Sequence, residues 1–193
     1  ANTGPDEAYV ELARRYFDWI APATLGEFQW FSGLGAKAAK AAIEPLGLVP
    51  LAPGDPRLMH REQLDAFRGF AVPRESEYVL VSSIDGMTLL RRDVKGLLAE
   101  TDVDRVQSLG GLTALPSHAI FDRGRLVGLW EYDTATQEIA WTSFVKKNAG
   151  LERAVKETET YVREQLGDAR SFSLDSPKSR GPRIAALRKA AAS

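Results

Sequence analysis

The run of residues 115–133 constrains the fold more than any other part of the chain, because its pattern is that of a β-hairpin. Apolar residues dominate positions 118–121 and 125–132, on either side of a short polar segment. In that segment Asp122 can start a turn, and Gly124 can adopt the positive φ that a tight hairpin requires. A second turn follows, so the sequence predicts a β-meander with strands at residues 118–121, 125–132 and 137–144.

Two arginines, Arg123 and Arg125, lie at the first turn of this meander. A basic, protruding hairpin is suited to contact with a polyanion, so both are candidate DNA contacts. The alternative is an ordinary solvent-exposed turn. His118, at the start of the first strand, is a further candidate, either as a DNA contact or as a hydrogen-bonded structural residue.

The segment His118-Ala-Ile-Phe-Asp-Arg-Gly-Arg-Leu-Val-Gly-Leu-Trp-Glu131 resembles the C-terminal half of winged-helix proteins of the AlkZ-like DNA glycosylase family. Further segments are similar to the same family and stand in the same order: residues 82–86 with 90–93, and residues 167–177 with 182–187. The likeness runs from about Tyr9 to about Leu187. It implies a fold of tandem winged helices and a role in DNA binding or base excision.

Those glycosylases carry a Gln-x-Gln or Gln-x-Asp catalytic motif in their N-terminal half. Here Gln63-Leu64-Asp65 fits that pattern by letters, but it lies in a predicted linker. The chain also begins with Ala1 instead of Met. We therefore expect a C-terminal portion of a longer protein, with the catalytic motif outside it and the N-terminal half of the same protein as a partner.

Composition narrows the class of protein further. A length of 193 residues fits one large or two small domains. The absence of cysteine excludes disulfides and thiolate metal sites, and two histidines far apart do not suit zinc. We expect no metal, no cofactor and a cytoplasmic location. No signal peptide is visible, and no apolar run approaches the roughly 18 residues of a membrane span.

Charge is distributed unevenly, although the whole chain carries only −1. Residues after Asp168 carry +5, and the residues up to it carry −6. Arg180 and Arg183 in this basic tail are candidate DNA contacts, as on an arm that lies along a duplex. The alternative is a terminal helix that pairs with the acidic body of the protein.

The N-terminal region shows the order of a winged helix-turn-helix. Thr24 and Glu27 form a capping box that opens the second helix. The third helix exposes Lys37 and Lys40, three residues apart and otherwise surrounded by alanine, which favours phosphate contacts over base readout. The alternative is that both lysines only solubilise the helix. The predicted elements are helices at residues 6–20, 24–31 and 35–46 and a strand at 48–51.

The rest of the chain is predicted from similar signals. Asp85 caps a helix whose core face is Leu90, Val94, Leu97 and Leu98, and whose other side carries the candidate DNA contacts Arg91, Arg92 and Lys95. Trp130, Tyr132 and Trp141 alternate along the predicted strands and are assigned to the core. Trp19, Trp30 and Phe31 are assigned to the core in the same way. The alternative, for any of them that is exposed, is stacking on a base. The remaining expected elements are a helix at 61–67, a strand at 78–83, a polar connector at 101–115, and helices at 151–166 and from 183 to about 190.

These observations predict an α/β (α+β) protein of tandem winged-helix-like units with a C-terminal β-meander and helices. The expected organisation is a winged-helix unit at 1–52, a linker at 53–77 and a second unit at 78–193. The expected function is the binding of double-stranded DNA within a repair glycosylase. The alternatives are a non-enzymatic winged-helix regulator or partner-binding module, and an independent hydrolase that uses Asp122, Glu131 or His118.

Overall fold

The computed structural model describes residues 5–166 and 176–192, which form an α+β protein with two compact units. Unit 1 comprises the described part of residues 1–72 together with 90–92, and unit 2 comprises that of 73–89 and 93–193. The α+β class is therefore as expected. Residues 167–175, part of the third family-like segment, lie outside the described residues.

Unit 1 begins with a helix whose apolar positions recur at helical spacing. In chain order its elements are α1 (Pro5–Ile20), β1 (Ala23–Thr24), α2 (Leu25–Ser32), α3 (Ala36–Ile43), a 3₁₀ turn (Glu44–Leu46), β2 (Val49–Pro50), β3 (Arg57–Met59) and α4 (Arg61–Gly69). The expected face of α1 is buried in a core with residues of α2 and α3, including Ala13, Tyr16, Phe17, Ile20, Phe28 and Ala39. Burial of these side chains joins the helices of the unit.

The boundaries of α2 are set by local hydrogen bonds that the sequence predicts. The side chain of Thr24 accepts from the N–H of Glu27, and Glu27 accepts in return from the N–H of Thr24 at 2.7 Å. At the other end Gly33 takes a left-handed conformation with φ of 67° and donates to the carbonyl of Gln29. The capping box and the glycine stop are confirmed.

Part of the predicted linker belongs to unit 1. Strand β3 pairs with β1 and with β2, so the antiparallel sheet has the order β1-β3-β2. Helix α4 follows β3 directly. Residues 57–69 are thus integrated into the unit, because β3 supplies the hydrogen bonds that β1 and β2 would otherwise lack.

Unit 2 is organised around an antiparallel sheet with the order β4-β5-β6-β7. Its elements are β4 (Tyr78–Val81), α5 (Gly86–Leu89), 3₁₀ turns (Lys95–Leu97 and Glu100–Asp102), α6 (Val103–Ser108), β5 (His118–Asp122), β6 (Arg125–Asp133), β7 (Glu138–Ser143), α7 (Ala149–Tyr161) with a π-helical end (Val162–Leu166), and α8 (Pro177–Ala191). The predicted meander is confirmed. Its strand order differs from that of unit 1, whose first strand pairs with its last.

Helices cover both faces of this sheet. On one face Phe121 and Leu129 pack with Val106 and with Leu187 of α8. On the other, Ile120 and other residues of the sheet pack with residues of α7. Between the strands Gly128 is held so closely that a Cβ there would lie 2.5 Å from the carbonyl oxygen of Thr142. The sheet is therefore the buried centre of the unit.

The predicted helix after Asp85 is wrong in its length. Asp85 does accept from the N–H of Met87 at 2.8 Å, but α5 ends at Leu89. Conversely, the predicted polar connector contains α6. The final helix begins at Pro177, earlier than expected, because Ser176 caps it and Pro177 occupies a first-turn position where no N–H is needed. No helix among the described residues is long and apolar enough to cross a membrane.

Candidate nucleic-acid interface

Helix α3 presents two cations to solvent. Lys37 and Lys40 are exposed, while Ala39 and Ala42 on the opposite side are buried in the core of unit 1. The helix contains no acidic residue, and neither lysine forms an ion pair with the described residues. Small side chains around them leave both ammonium groups accessible to a phosphate backbone.

The two arginines of the β5–β6 hairpin, which the sequence treats alike, have different surroundings. Arg123 donates to both carboxylate oxygens of Asp122, at 3.0 and 2.9 Å, and to the carbonyls of Pro73 and Arg74 at 2.9 and 3.0 Å. These bonds occupy its guanidinium. Arg125 is also exposed and forms no hydrogen bond or ion pair with the described part of the chain, so its guanidinium is the one at this turn that is left for an outside partner.

The turn itself explains why Asp122 and Arg123 form a fixed pair. Arg123 and Gly124 both have positive φ, 50° and 83°, as the two central residues of a type I′ hairpin do. Burial raises the pKa of Asp122, but hydrogen bonds from Arg123 and from the N–H of Glu77 outweigh it, and the net shift is downward. Asp122 is therefore a structural carboxylate that anchors the segment before β4.

The predicted cluster of Arg91, Arg92 and Lys95 is not built on one helix, since α5 ends before it. Arg91 and Arg92 belong to unit 1, and Arg91 is half-buried, with an Nε that finds no hydrogen-bond partner in the described part of the chain. Arg92 is exposed. Lys95 belongs to unit 2, where its ammonium is exposed and its N–H donates to Asp93. Each unit thus carries its own accessible cation here.

His118 has a structural environment. Its Nδ1 accepts from the N–H of Ser83 at 2.9 Å, and its ring lies 4.6 Å from that of Trp130, between ring centroids. Trp130 is buried and donates from Nε1 to the carbonyl of Ala119. This arrangement joins the β4–α5 turn to the sheet.

Cations of α8 pair with acids of β6, as the alternative reading of the basic tail proposed. Arg183 Nε lies 2.6 Å from Oε1 of Glu131, a carboxylate only 1% exposed. Arg188 pairs with Asp133 at 2.8 Å on the same strand. Arg180 is buried at 7% exposure. These contacts attach α8 to the sheet.

Two tryptophans assigned to the core are instead on the surface of unit 1. Trp19 is 75% exposed and Trp30 is 45% exposed, whereas Phe31 packs against the core as expected. A helical step of about 100° places Trp19 at the edge of the apolar face of α1, about 90° from its middle. That offset was the one feature of the sequence that set Trp19 apart from the buried residues of α1, although a side chain at such an edge can be either buried or exposed.

Comparison with known protein families assigns the chain to one of them. The DNA glycosylase AlkZ-like family matches residues 1–172, which is most of the sequence. The chain belongs to this family. No curated protein matches it.

A solved structure is similar to this AlkZ-like chain. It is the Streptomyces sahachiroi DNA glycosylase AlkZ, with a TM-score of 0.53 and 17% sequence identity. The match covers 97% of this chain and 44% of the Streptomyces chain. At this identity the likeness concerns the fold, and the chain spans less than half the length of that enzyme.

The Gln-x-Asp letters of this AlkZ-like chain fall on α4. Gln63 is half-buried, with its N–H donating to the carbonyl of His60, and Asp65 is exposed. Among the described residues no group of three or more His, Cys, Asp or Glu side chains could hold a metal ion.

Proposed function

We propose that this chain is the duplex-DNA-binding portion of a base-excision glycosylase. Membership of the AlkZ-like family over residues 1–172 is the observation that carries the proposal. The whole reaction, extrusion of a damaged base and hydrolysis of its glycosidic bond, belongs in this proposal to the longer protein. The chain described here supplies contacts to the DNA.

Unit 1 is proposed to bind as a winged helix. Its order of elements, α1-β1-α2-α3-β2-β3, and its sheet order, β1-β3-β2, support this reading. In such a unit the helix in the position of α3 is the recognition helix, which lies in the major groove of DNA. Lys37 and Lys40 would then contact phosphates, and the alanines between them would contribute no base-specific hydrogen bond.

Other candidate cations divide by their surroundings. Arg125, Arg92 and Lys95 are exposed and are proposed as additional phosphate contacts. Bonds that hold the fold occupy Arg123 and Arg183, as well as Nδ1 of His118. Arg91 and Arg180 are partly or fully buried. Substitutions in the two groups should therefore have different consequences. Replacing an exposed cation lowers the affinity for DNA, whereas replacing a bonded or buried one lowers the stability of the fold.

The proposal is tested by titrating duplex DNA with the chain and measuring fluorescence anisotropy at several salt concentrations. Because each phosphate contact releases counterions, Lys37→Ala with Lys40→Ala should reduce the slope of log K against log salt by about 2. The control is Arg153→Ala with Lys178→Ala, which removes the same charge from exposed positions on α7 and α8. An equal loss in both double variants would reject α3 as the contact.

Base release by the chain alone is a separate test. With an alkylated duplex as substrate, we expect no excised base, because the catalytic groups are proposed to lie elsewhere in the protein. Excision that disappears in Asp65→Asn would instead assign the chemistry to α4.

A further inference from the structure

The exposed Trp19 lies in an open groove with charged neighbours. Arg14, Arg15, Asp18 and Trp19 line this groove, whose volume is about 480 Å³. The indole, 75% exposed, is the main apolar surface that the groove offers.

The charged side chains of the groove form ion pairs along α1. Arg14 donates to Glu11 from Nε and NH2, and to Oδ2 of Asp18 at 2.7 Å. Arg15 donates from Nε to Glu11 at 2.7 Å, and the rest of its guanidinium is exposed. Hydrogen bonds from Arg14 and then Arg15 lower the pKa of Glu11 to about 2. Glu11 therefore remains ionised and keeps both arginines oriented.

A buried histidine stands behind Asp18. His60 is 7% exposed. Its Nε2 forms no hydrogen bond with the described residues but lies 3.3 Å from Oδ1 of Asp18. Each carboxylate oxygen has two lone pairs. Asp18, with one oxygen toward Arg14 and the other toward His60, can therefore accept a further hydrogen bond from a ligand in the groove.

We propose that this groove binds an unpaired nucleobase of DNA, stacked on Trp19. Stacking on an aromatic side chain is available to every base. Asp18 would accept from the exocyclic amino group of adenine or cytosine, which thymine lacks. The exposed part of the Arg15 guanidinium would contact the adjoining phosphate. This inference rests on the proposed function in one respect, namely that the ligand of the protein is DNA.

Charge balance favours a base over a free anion. Arg14 and Arg15 are balanced by Glu11 and Asp18, with which they form ion pairs. A groove without net charge attracts a phosphate weakly, whereas stacking does not depend on net charge. Binding through Trp19 should therefore depend less on salt than binding through Lys37 and Lys40.

The test uses single-stranded oligodeoxyadenylate and oligothymidylate of about eight nucleotides, a length within the usual range of single-strand sites. Trp19→Ala should weaken oligodeoxyadenylate binding about 5- to 150-fold without a change in salt slope. The matched control is Trp30→Ala, which removes another exposed tryptophan of unit 1 and should leave affinity unchanged. Asp18→Asn should reduce the preference for oligodeoxyadenylate over oligothymidylate.

Fluorescence supplies a direct readout of stacking. Oligodeoxyadenylate should quench tryptophan emission in Trp30→Phe and fail to do so in Trp19→Phe. Equal affinity in Trp19→Ala and the unsubstituted chain would overturn the inference, as would an equal loss for duplex and single strand. If Lys37→Ala with Lys40→Ala loses only duplex binding, stacking on Trp19 is still supported. The proposal for α3 and the proposal for Trp19 can therefore fail independently.

Discussion

Removal of the Arg183 guanidinium should destabilise unit 2, because it leaves a buried carboxylate without its counter-charge. Glu131 is 1% exposed, its Oε1 lies 2.6 Å from Nε of Arg183, and its Oε2 accepts no hydrogen bond from the residues that the structure describes. In Arg183→Ala the carboxylate must either stay charged in the protein interior or take up a proton. Both alternatives cost free energy.

The size of this effect follows from burial. Breaking a fully buried ion pair by removing one partner costs about 3–5 kcal/mol. The side chain of Arg183 is 27% exposed, so water screens part of the charge and a loss of about 2–4 kcal/mol is expected. With a urea dependence of about 2 kcal/mol per molar, the unfolding midpoint should fall by roughly 1–2 M.

The same helix contains a matched control. Arg188 pairs with Asp133 on the same strand, but its side chain is 49% exposed. Arg188→Ala should therefore cost at most about 1 kcal/mol. Urea unfolding is best followed by tryptophan fluorescence in a background with Trp19→Phe and Trp30→Phe, since the remaining tryptophans, Trp130 and Trp141, both lie in unit 2.

A double-mutant cycle isolates the pair from the other contacts of Arg183. Glu131→Gln should restore at least about 1 kcal/mol when combined with Arg183→Ala, because a neutral amide needs no counter-charge. Equal small losses in Arg183→Ala and Arg188→Ala would refute the argument from burial. The argument would also be refuted if the double variant with Glu131→Gln and Arg183→Ala were less stable than Arg183→Ala alone.

Further substitutions in unit 2 test its packing, capping and titration. Gly128→Ala should lower the free energy of unfolding by at least about 2 kcal/mol, because its Cβ would meet the carbonyl of Thr142 at 2.5 Å. Gly181→Ala, in open space on α8, should be neutral or stabilising by up to about 1 kcal/mol. Asn148→Ala should cost about 1 kcal/mol in urea unfolding, since Asn148 caps α7. For Asp122 the folded-state pKa is lowered, so its contribution is present above the unfolded-state pKa and is lost as pH falls through the folded value. Stability measured from neutral pH to about pH 2 should fall less steeply in Asp122→Asn.

Local signals predicted much of the fold because their hydrogen bonds join residues close in sequence. The capping box of Thr24 and Glu27 spans three residues, and the hairpin turn at Arg123 and Gly124 connects neighbouring strands. The apolar spacing of α1 likewise predicted which side chains are buried. The accessibility of the cations on α3 was predictable for the same reason. Apart from Lys37 and Lys40 this helix contains only small or apolar residues, so it offers the lysines no acidic neighbour.

Long-range partners were not predictable by those signals. Arg123 donates to carbonyls 50 and 49 residues away, and its position in the hairpin turn gave no sign of these bonds within the fold. Strand β3 was read as linker because its short, mixed sequence gains its order only from pairing with β1 and β2. The groove at Trp19 was missed because an aromatic residue at the edge of an apolar face can be either buried or exposed.

The sequence by itself determined the helices of unit 1, their caps, the meander of unit 2 and the family likeness. These features depend on residue type and spacing over a few positions, where conformational preference and periodicity act. The tertiary structure decided which charges remain accessible. Glu131 selects Arg183 across 52 residues. Arg123 bonds to Asp122 and to two carbonyls, whereas its neighbour Arg125 forms no such bond within the described residues. The reason is physical: a charge pairs with whatever carboxylate or carbonyl packing brings within reach, and packing is a property of the whole unit.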